Sequence, residues 1–327
     1  MKKNIQFIIS CLLCIVLIAA LLIYDRTNNI KDLKETNTNT KQKTEEKVST
    51  STETPTIYCI GDNQTVATNT KSYTQYLSEL TGMSVETYAL NNLTTQQLAQ
   101  ELGVYKVTLT NDITIPEKQT SVNIDLECQN HDLTFLQNGD IVNPVTIGDI
   151  EGTLTYLPGE KTYTFTRTSA GEAKNCSAGT AIQTKFSKRS QNENDIYIIY
   201  TGYNDALNIQ DEIQKTIATQ QDIISTLPNE KYIVVGLSFE TMFPKVKALN
   251  DVFELRFADH FLNYRYQVLT EDLSNYGIQW SQNDLQEINQ YKFPSSLKRD
   301  ATNGNDTFNE LLAKMLQDKM KQLNYIK

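Results

Sequence analysis

The sequence predicts an α/β fold with a parallel sheet, interrupted by an all-β module, behind an N-terminal membrane helix. Three observations carry this. Residues 57–103 run strand, helix, strand, helix, an order that places parallel strands side by side with helical crossovers. Residues from about 105 to 190 alternate in twos between Asn, Asp and Gly turns, the pattern of short antiparallel strands. The strand–helix rhythm then resumes at "NDIYIIYTGYNDA".

The 327 residues are enough for one large or two modest folded units, and 39% hydrophobic residues with 17 tyrosines can fill a core. A formal net charge of −9 and the lack of a basic stripe argue against a nucleic-acid partner. At the N-terminus, residues 1–4 carry Lys2 and Lys3, and residues 5–24 form an uncharged run of the length that spans a bilayer. The lysines predict a cytoplasmic N-terminus, a single pass through the cell membrane and an extracellular remainder. A cleaved signal peptide is the other reading, and the length of the apolar run favours an anchor. "IISC", ending at Cys11, loosely resembles a lipoprotein box but lies too early in the run. Residues 25–55 are rich in Thr, Asn, Lys and Glu and nearly free of apolar side chains, which predicts a disordered stalk.

The folded region follows. "TIYCI" reads as a buried strand holding Cys59, and "SYTQYLSELTG" as a helix with Tyr73, Tyr76, Leu77 and Leu80 in register and Gly82 as its stop. "SVETYAL" reads as a strand and "TTQQLAQELG" as a helix closed by Gly103. Within the module, "YKVTLT", "ITIPE", "SVNIDLE", "DLTFL", "NPVTIG", "GTLTYL" and "TYTFTR" read as strands. Later come a helix over about 207–227, a strand "KYIVVGLSF", a further strand "FLNYRY", and a closing helix with Phe308, Leu311, Leu312 and Met315 on one face. The resulting division is 56–104 with 191–327 as the α/β domain and 105–190 as the insertion.

Five cysteines include Cys11 and Cys14 in the apolar run. Cys128 and Cys176, in the module, are candidates either for a disulfide or for free thiols. No CxxC pair occurs and the histidines number two, His131 and His260, so a structural zinc site is not expected. His260, between a helix and a strand, reads as structural rather than as a displaced base.

Four short blocks carry a resemblance. "IGDNQT" stands where the SGNH, or GDSL-type, hydrolases have Gly-Asp-Ser-x-Thr, "ALNNLTTQQLA" resembles their second block, "TGYND" matches Gly-x-Asn-Asp, and "SLKRDATNGNDTFNELLA" resembles their Asp-x-x-His block before a final helix. Each block alone is weak, and four in order are much stronger. The resemblance implies a flavodoxin-like three-layer α/β/α fold and the chemistry of an acyl-ester hydrolase. That chemistry needs a hydroxyl nucleophile, a histidine base and an orienting aspartate. Here Asn63 stands at the serine's position and Asn303 at the histidine's, leaving Asp300 with no imidazole to orient. A neutral amide neither forms a normal acyl-enzyme nor shuttles a proton near neutral pH.

The same resemblance makes Asn204 and the backbone at Asn92 oxyanion-hole donors, with Gly202, Asp205 and Asp62 as turn supports. Asn92 stands where a glycine is usual, and asparagine tolerates positive φ better than other residues do. The expected role is a pseudoenzyme that binds a cell-surface carbohydrate or protein ligand, or acts as a scaffold. The alternative is an active ester hydrolase with a rearranged site and Thr65 as nucleophile. No cofactor is implied. A hard cation held by Asp62, Asp205 and Asp300 is a weaker possibility at the C-terminal sheet edge.

Overall fold

The computed structural model describes residues 54–136, 141–205, 210–239 and 246–327. The expected membrane helix and most of the stalk lie outside the described residues, as do the first residues of the helix expected over 207–227. No helix among the described residues is long and apolar enough to cross a membrane.

In chain order the elements are β1 (Thr56–Gly61), α1 (Asn63–Val66), α2 (Tyr73–Thr81), β2 (Ser84–Ala89), α3 (Thr95–Glu101) and β3 (Val107–Leu109). The chain continues through β4 (Ile113–Ile115), β5 (Val122–Ile124), β6 (Leu126–Cys128), β7 (Val145–Ile147), β8 (Ile150–Leu157) and β9 (Thr162–Arg167). β10 (Lys174–Cys176), β11 (Ile182–Gln183), β12 (Ile196–Tyr200), α4 (Gln210–Ser225), β13 (Tyr232–Val235) and α5 (Val246–Phe257) follow. Last come β14 (Phe261–Leu262), α6 (Tyr264–Thr270), α7 (Gln282–Asn289) and α8 (Asp306–Gln322).

A five-stranded sheet has the order β14-β13-β12-β1-β2, with every pair parallel. Renumbered within this sheet the order is 2-1-3-4-5, the doubly wound arrangement whose switch point falls between its first and third strands. β12 is buried at all five positions, as a central strand covered on both faces must be. α2 packs on α8 and α3 on α4, giving helical layers that cover the sheet. Ser72 and Thr94 begin α2 and α3 as reciprocal capping boxes with Gln75 and Gln97, and Gly82 at φ 68° ends α2.

β3 to β11 pair antiparallel where they form ladders, and β11-β7-β8-β9-β5 is the largest of their sheets. Their inward side chains, among them Leu109, Ile124, Phe135, Ile147 and Phe165, form an apolar cluster distinct from that of the parallel sheet. Tyr105 packs against both clusters.

Two expectations change, and one open alternative is decided. "DLTFL" is not a strand, because side chains rather than a neighbouring strand take its backbone groups. Gln100 donates to the Asp132 carbonyl (2.8 Å) and accepts from the Thr134 N–H (2.9 Å), while Glu101 accepts from the Leu136 N–H (2.5 Å). "FLNYRY" yields only the two-residue β14, since the Asn263 side chain accepts from the Tyr266 N–H and starts α6. Cys128 and Cys176 are free thiols on different sheets, each buried in the module, as Cys59 is in β1.

The first turn is packed against its glycine. A Cβ at Gly61 would lie 2.1 Å from Thr65 Oγ1 and 2.4 Å from the Tyr200 carbonyl oxygen. The latter is backbone of the adjacent central strand and cannot step aside. Gly61→Ala is expected to cost roughly 1–3 kcal/mol or more through overpacking, read as a lowered urea midpoint; an unchanged midpoint would show that the turn can open.

Candidate functional site

The four sequence blocks meet at the C-terminal end of the parallel sheet, beside the β1/β12 switch point where open α/β sheets place their ligands. β1 delivers Asp62 and Asn63, the loop after β2 delivers Asn92, and the loop after β12 delivers Gly202, Asn204 and Asp205.

Asn63 is the first residue of α1 and is half-buried. Its side-chain Oδ1 accepts from the Asn92 backbone N–H at 2.7 Å and from Asn204 Nδ2 at 3.2 Å. The second hydrogen of the Asn204 amide goes to the Leu93 carbonyl at 2.9 Å. The network orients both amides. Only an oxygen on Asn63 can face the Asn92 N–H, and only a nitrogen on Asn204 can face the Leu93 carbonyl. Asn92 has φ 65°, the left-handed conformation that turns its N–H toward Asn63. Two donors thus converge on one oxygen, which is the arrangement of an oxyanion hole. The oxygen they hold belongs to the protein itself.

Beneath this layer Asp62 is fully buried, and its Oδ2 accepts from the Gly202 and Tyr203 N–H groups, both at 3.1 Å. These bonds clamp the loop after β12 to the end of β1. Burial pushes the carboxyl up to about 7, opposed chiefly by the Tyr203 N–H and reinforced by the charge of Asp205. Asp205 accepts from the Thr95 N–H (3.1 Å), the Thr95 hydroxyl (2.8 Å) and the Thr216 hydroxyl (3.1 Å), tying α3 and α4 to the same loop. Its carboxyl is also raised, burial outweighing those hydrogen bonds.

The last block closes on itself. Asn303 Nδ2 donates to both oxygens of Asp300, at 2.9 and 3.1 Å, and the Asp300 carboxylate also accepts from the Thr302 and Asn303 N–H groups at 2.9 Å. Partial burial works to raise the Asp300 carboxyl, but these bonds and Arg299 together hold it at about 2. Asn303 therefore holds the Asp300 carboxylate through a neutral amide, which does no acid–base work near neutral pH. Gln64 donates to the Thr302 carbonyl at 2.6 Å, and Arg299 to the Thr68 carbonyl, joining this block to the first turn. Neither residue was singled out in the sequence, because nothing in their local pattern marks such a link.

The Thr65 and shared-cation readings are corrected, whereas His260 has the structural setting expected of it. Thr65 is 1% exposed, and its hydroxyl lies 3.3 Å from the Tyr73 hydroxyl beneath Gly61, so no substrate reaches it. Asp62, Asp205 and Asp300 make separate contacts, and no group of three or more His, Cys, Asp or Glu side chains placed to hold a metal occurs among the described residues. His260 stacks on Tyr232 with ring centres 4.2 Å apart, and its Nδ1 lies 3.1 Å from the Tyr232 carbonyl and 2.9 Å from the Tyr325 hydroxyl. Tyr232 opens β13, so this histidine sits at the opposite end of the sheet from Asn63.

No family model and no curated protein matches the sequence. Among solved structures the chain is similar to a lipase/acylhydrolase from Enterococcus faecalis, at 11% identity over 83% of this chain and 97% of that one, with a TM-score of 0.41. It is similar to a member of the lipolytic protein G-D-S-L family from Veillonella parvula DSM 2008 at 11% identity, over 81% and 97% of the two chains, with the same score of 0.41. A peptidoglycan O-acetylesterase matches at 13% identity, over 84% and 92%, with a TM-score of 0.36. These neighbours are lipolytic hydrolases and an acetylesterase. At such values the likeness assigns this chain no activity and no residue role.

The Asp62 carboxyl gives the site a pH signature. In the unfolded chain an aspartate releases its proton near 4, whereas the folded protein holds this one to about 7. The folded state thus binds the extra proton between those values, and stability falls as pH rises through that window, by about 4 kcal/mol at most. Asp62→Asn, which imitates the protonated form, is expected to remove this fall and to gain on the wild type between pH 4.5 and 7.5 in urea unfolding. Parallel pH profiles for the two proteins would contradict it.

Proposed function

We propose that this chain is a non-catalytic, SGNH-type protein, anchored in the cell membrane by its N-terminal segment, whose extracellular domain binds a surface ligand or acts as a scaffold. One observation carries the reading: the Asn63 side-chain oxygen accepts both the Asn92 N–H and the Asn204 amide. Those donors would otherwise meet the developing charge of an acyl-transfer intermediate. The same residue has replaced the nucleophile, so a single asparagine both removes the reactive hydroxyl and fills the pocket it would use. Asn303 on Asp300 supplies hydrogen bonding without acid–base function. The sheet order and the four ordered blocks support the family reading, and the uncharged run at residues 5–24 supports the anchor.

A fluorophosphonate probe tests the reading, because it needs an activated hydroxyl and a free oxyanion hole. The wild-type chain is expected to remain unlabelled and to hydrolyse p-nitrophenyl acetate no faster than buffer. Asn63→Ser with Asn303→His is expected to restore measurable labelling at residue 63. Labelling of the wild type at any pocket residue would overturn the proposal.

A further inference from the structure

A second concave site lies where the β module meets the helical layer. It is a cleft of about 630 Å³ between the turn after β6 and the outer face of α4, with Gln96 of α3 at one end. That volume is within the range of small-molecule sites. Its wall is a rigid ring pair, in which Tyr105 and His131 stack with centres 3.7 Å apart and planes 21° from parallel. The Tyr105 hydroxyl is pinned to Asp222 (2.8 Å) and Thr219 (3.3 Å) of α4, so the pair does not have to be ordered on binding. Asn130, with φ 61°, makes the turn that brings His131 over Tyr105.

The lining chemistry narrows the ligand. Gln96, Asn130 and Lys215 present donors, and Asp132 and Asp222 present acceptors, around a surface that apolar and polar atoms share about equally. Two carboxylates against one ammonium disfavour an anion, and that ammonium is already paired with Glu212 at 2.6 Å. A lipid or other apolar ligand would leave these polar groups unpaired. A divalent cation lacks a set of three ligands among the described residues. A pyranose suits the arrangement, since each hydroxyl both donates and accepts and the ring's C–H face packs on an aromatic edge or face.

From this geometry we infer that the cleft between the β module and α4 is a binding site for a neutral saccharide of about one or two rings. This deepens the binding role proposed above and rests on it for the claim that the chain binds rather than cleaves. The site is separate from Asn63, and it uses residues from both the module and the α/β layer, so neither forms it alone.

The test uses the full chain in a detergent without a sugar head group, passed over an array of neutral mono- and disaccharides, with acidic and sulfated saccharides as controls. Binding of at least one neutral saccharide is expected, weakened ten-fold or more by Asp132→Ala with Lys215→Ala. Both residues are exposed, so their loss leaves the fold intact, which circular dichroism checks. Lys247→Ala, an exposed change on α5, is expected to leave binding unchanged. Failure to bind any neutral saccharide, preference for the acidic ones, or an equal loss of binding in Lys247→Ala would each overturn the inference. None of these outcomes bears on probe labelling at residue 63, so the two proposals fail separately.

Discussion

The side-chain oxygen of Asn63 is the contact on which the account of this site turns. It receives a backbone N–H from the loop after β2 and an amide from the loop after β12, and so bridges loops that leave the sheet on either side of β1. The Asn63 side-chain carbonyl accepts both donors at once, and each such hydrogen bond is worth about 1 kcal/mol net.

The layers below hold the same loops without using Asn63. Asp62 fixes the Gly202–Tyr203 backbone, and Asp205 fixes the start of α3. Gln64 and Arg299 then hold the last block against the first turn, where Asn303 completes the ligation of Asp300. The loops of the site are thus tied by backbone-directed carboxylates and amides.

Much of this was legible in the chain. The period-two and period-3.6 stretches located β1, α2, β2, α3 and α8, and the apolar run at 196–200 gave β12. The four turn blocks pointed to one sheet edge, where Asn63, Asn92 and Asn204 meet, while the Asp300 block joins them through Gln64 and Thr302. What escaped depends on long-range partners. "DLTFL" has strand composition, yet Gln100 and Glu101, some thirty residues earlier, claim its backbone. Thr65 reads as a free hydroxyl beside the turn, and only packing against Gly61 and Tyr73 shows it to be buried. The Tyr105–His131 cleft joins two separated segments to α4, and no local motif marks it.

The central claim is that the Asn63 side chain, rather than solvent or a ligand, holds the Asn92 N–H. Amide hydrogen exchange at Asn92 measures this directly, since the residue is exposed and owes its protection to that bond. A slowed Asn92 amide is expected in the wild type and exchange near the random-coil rate in Asn63→Ala, with the β12 amides unchanged. Equal exchange at Asn92 in the two proteins would contradict it.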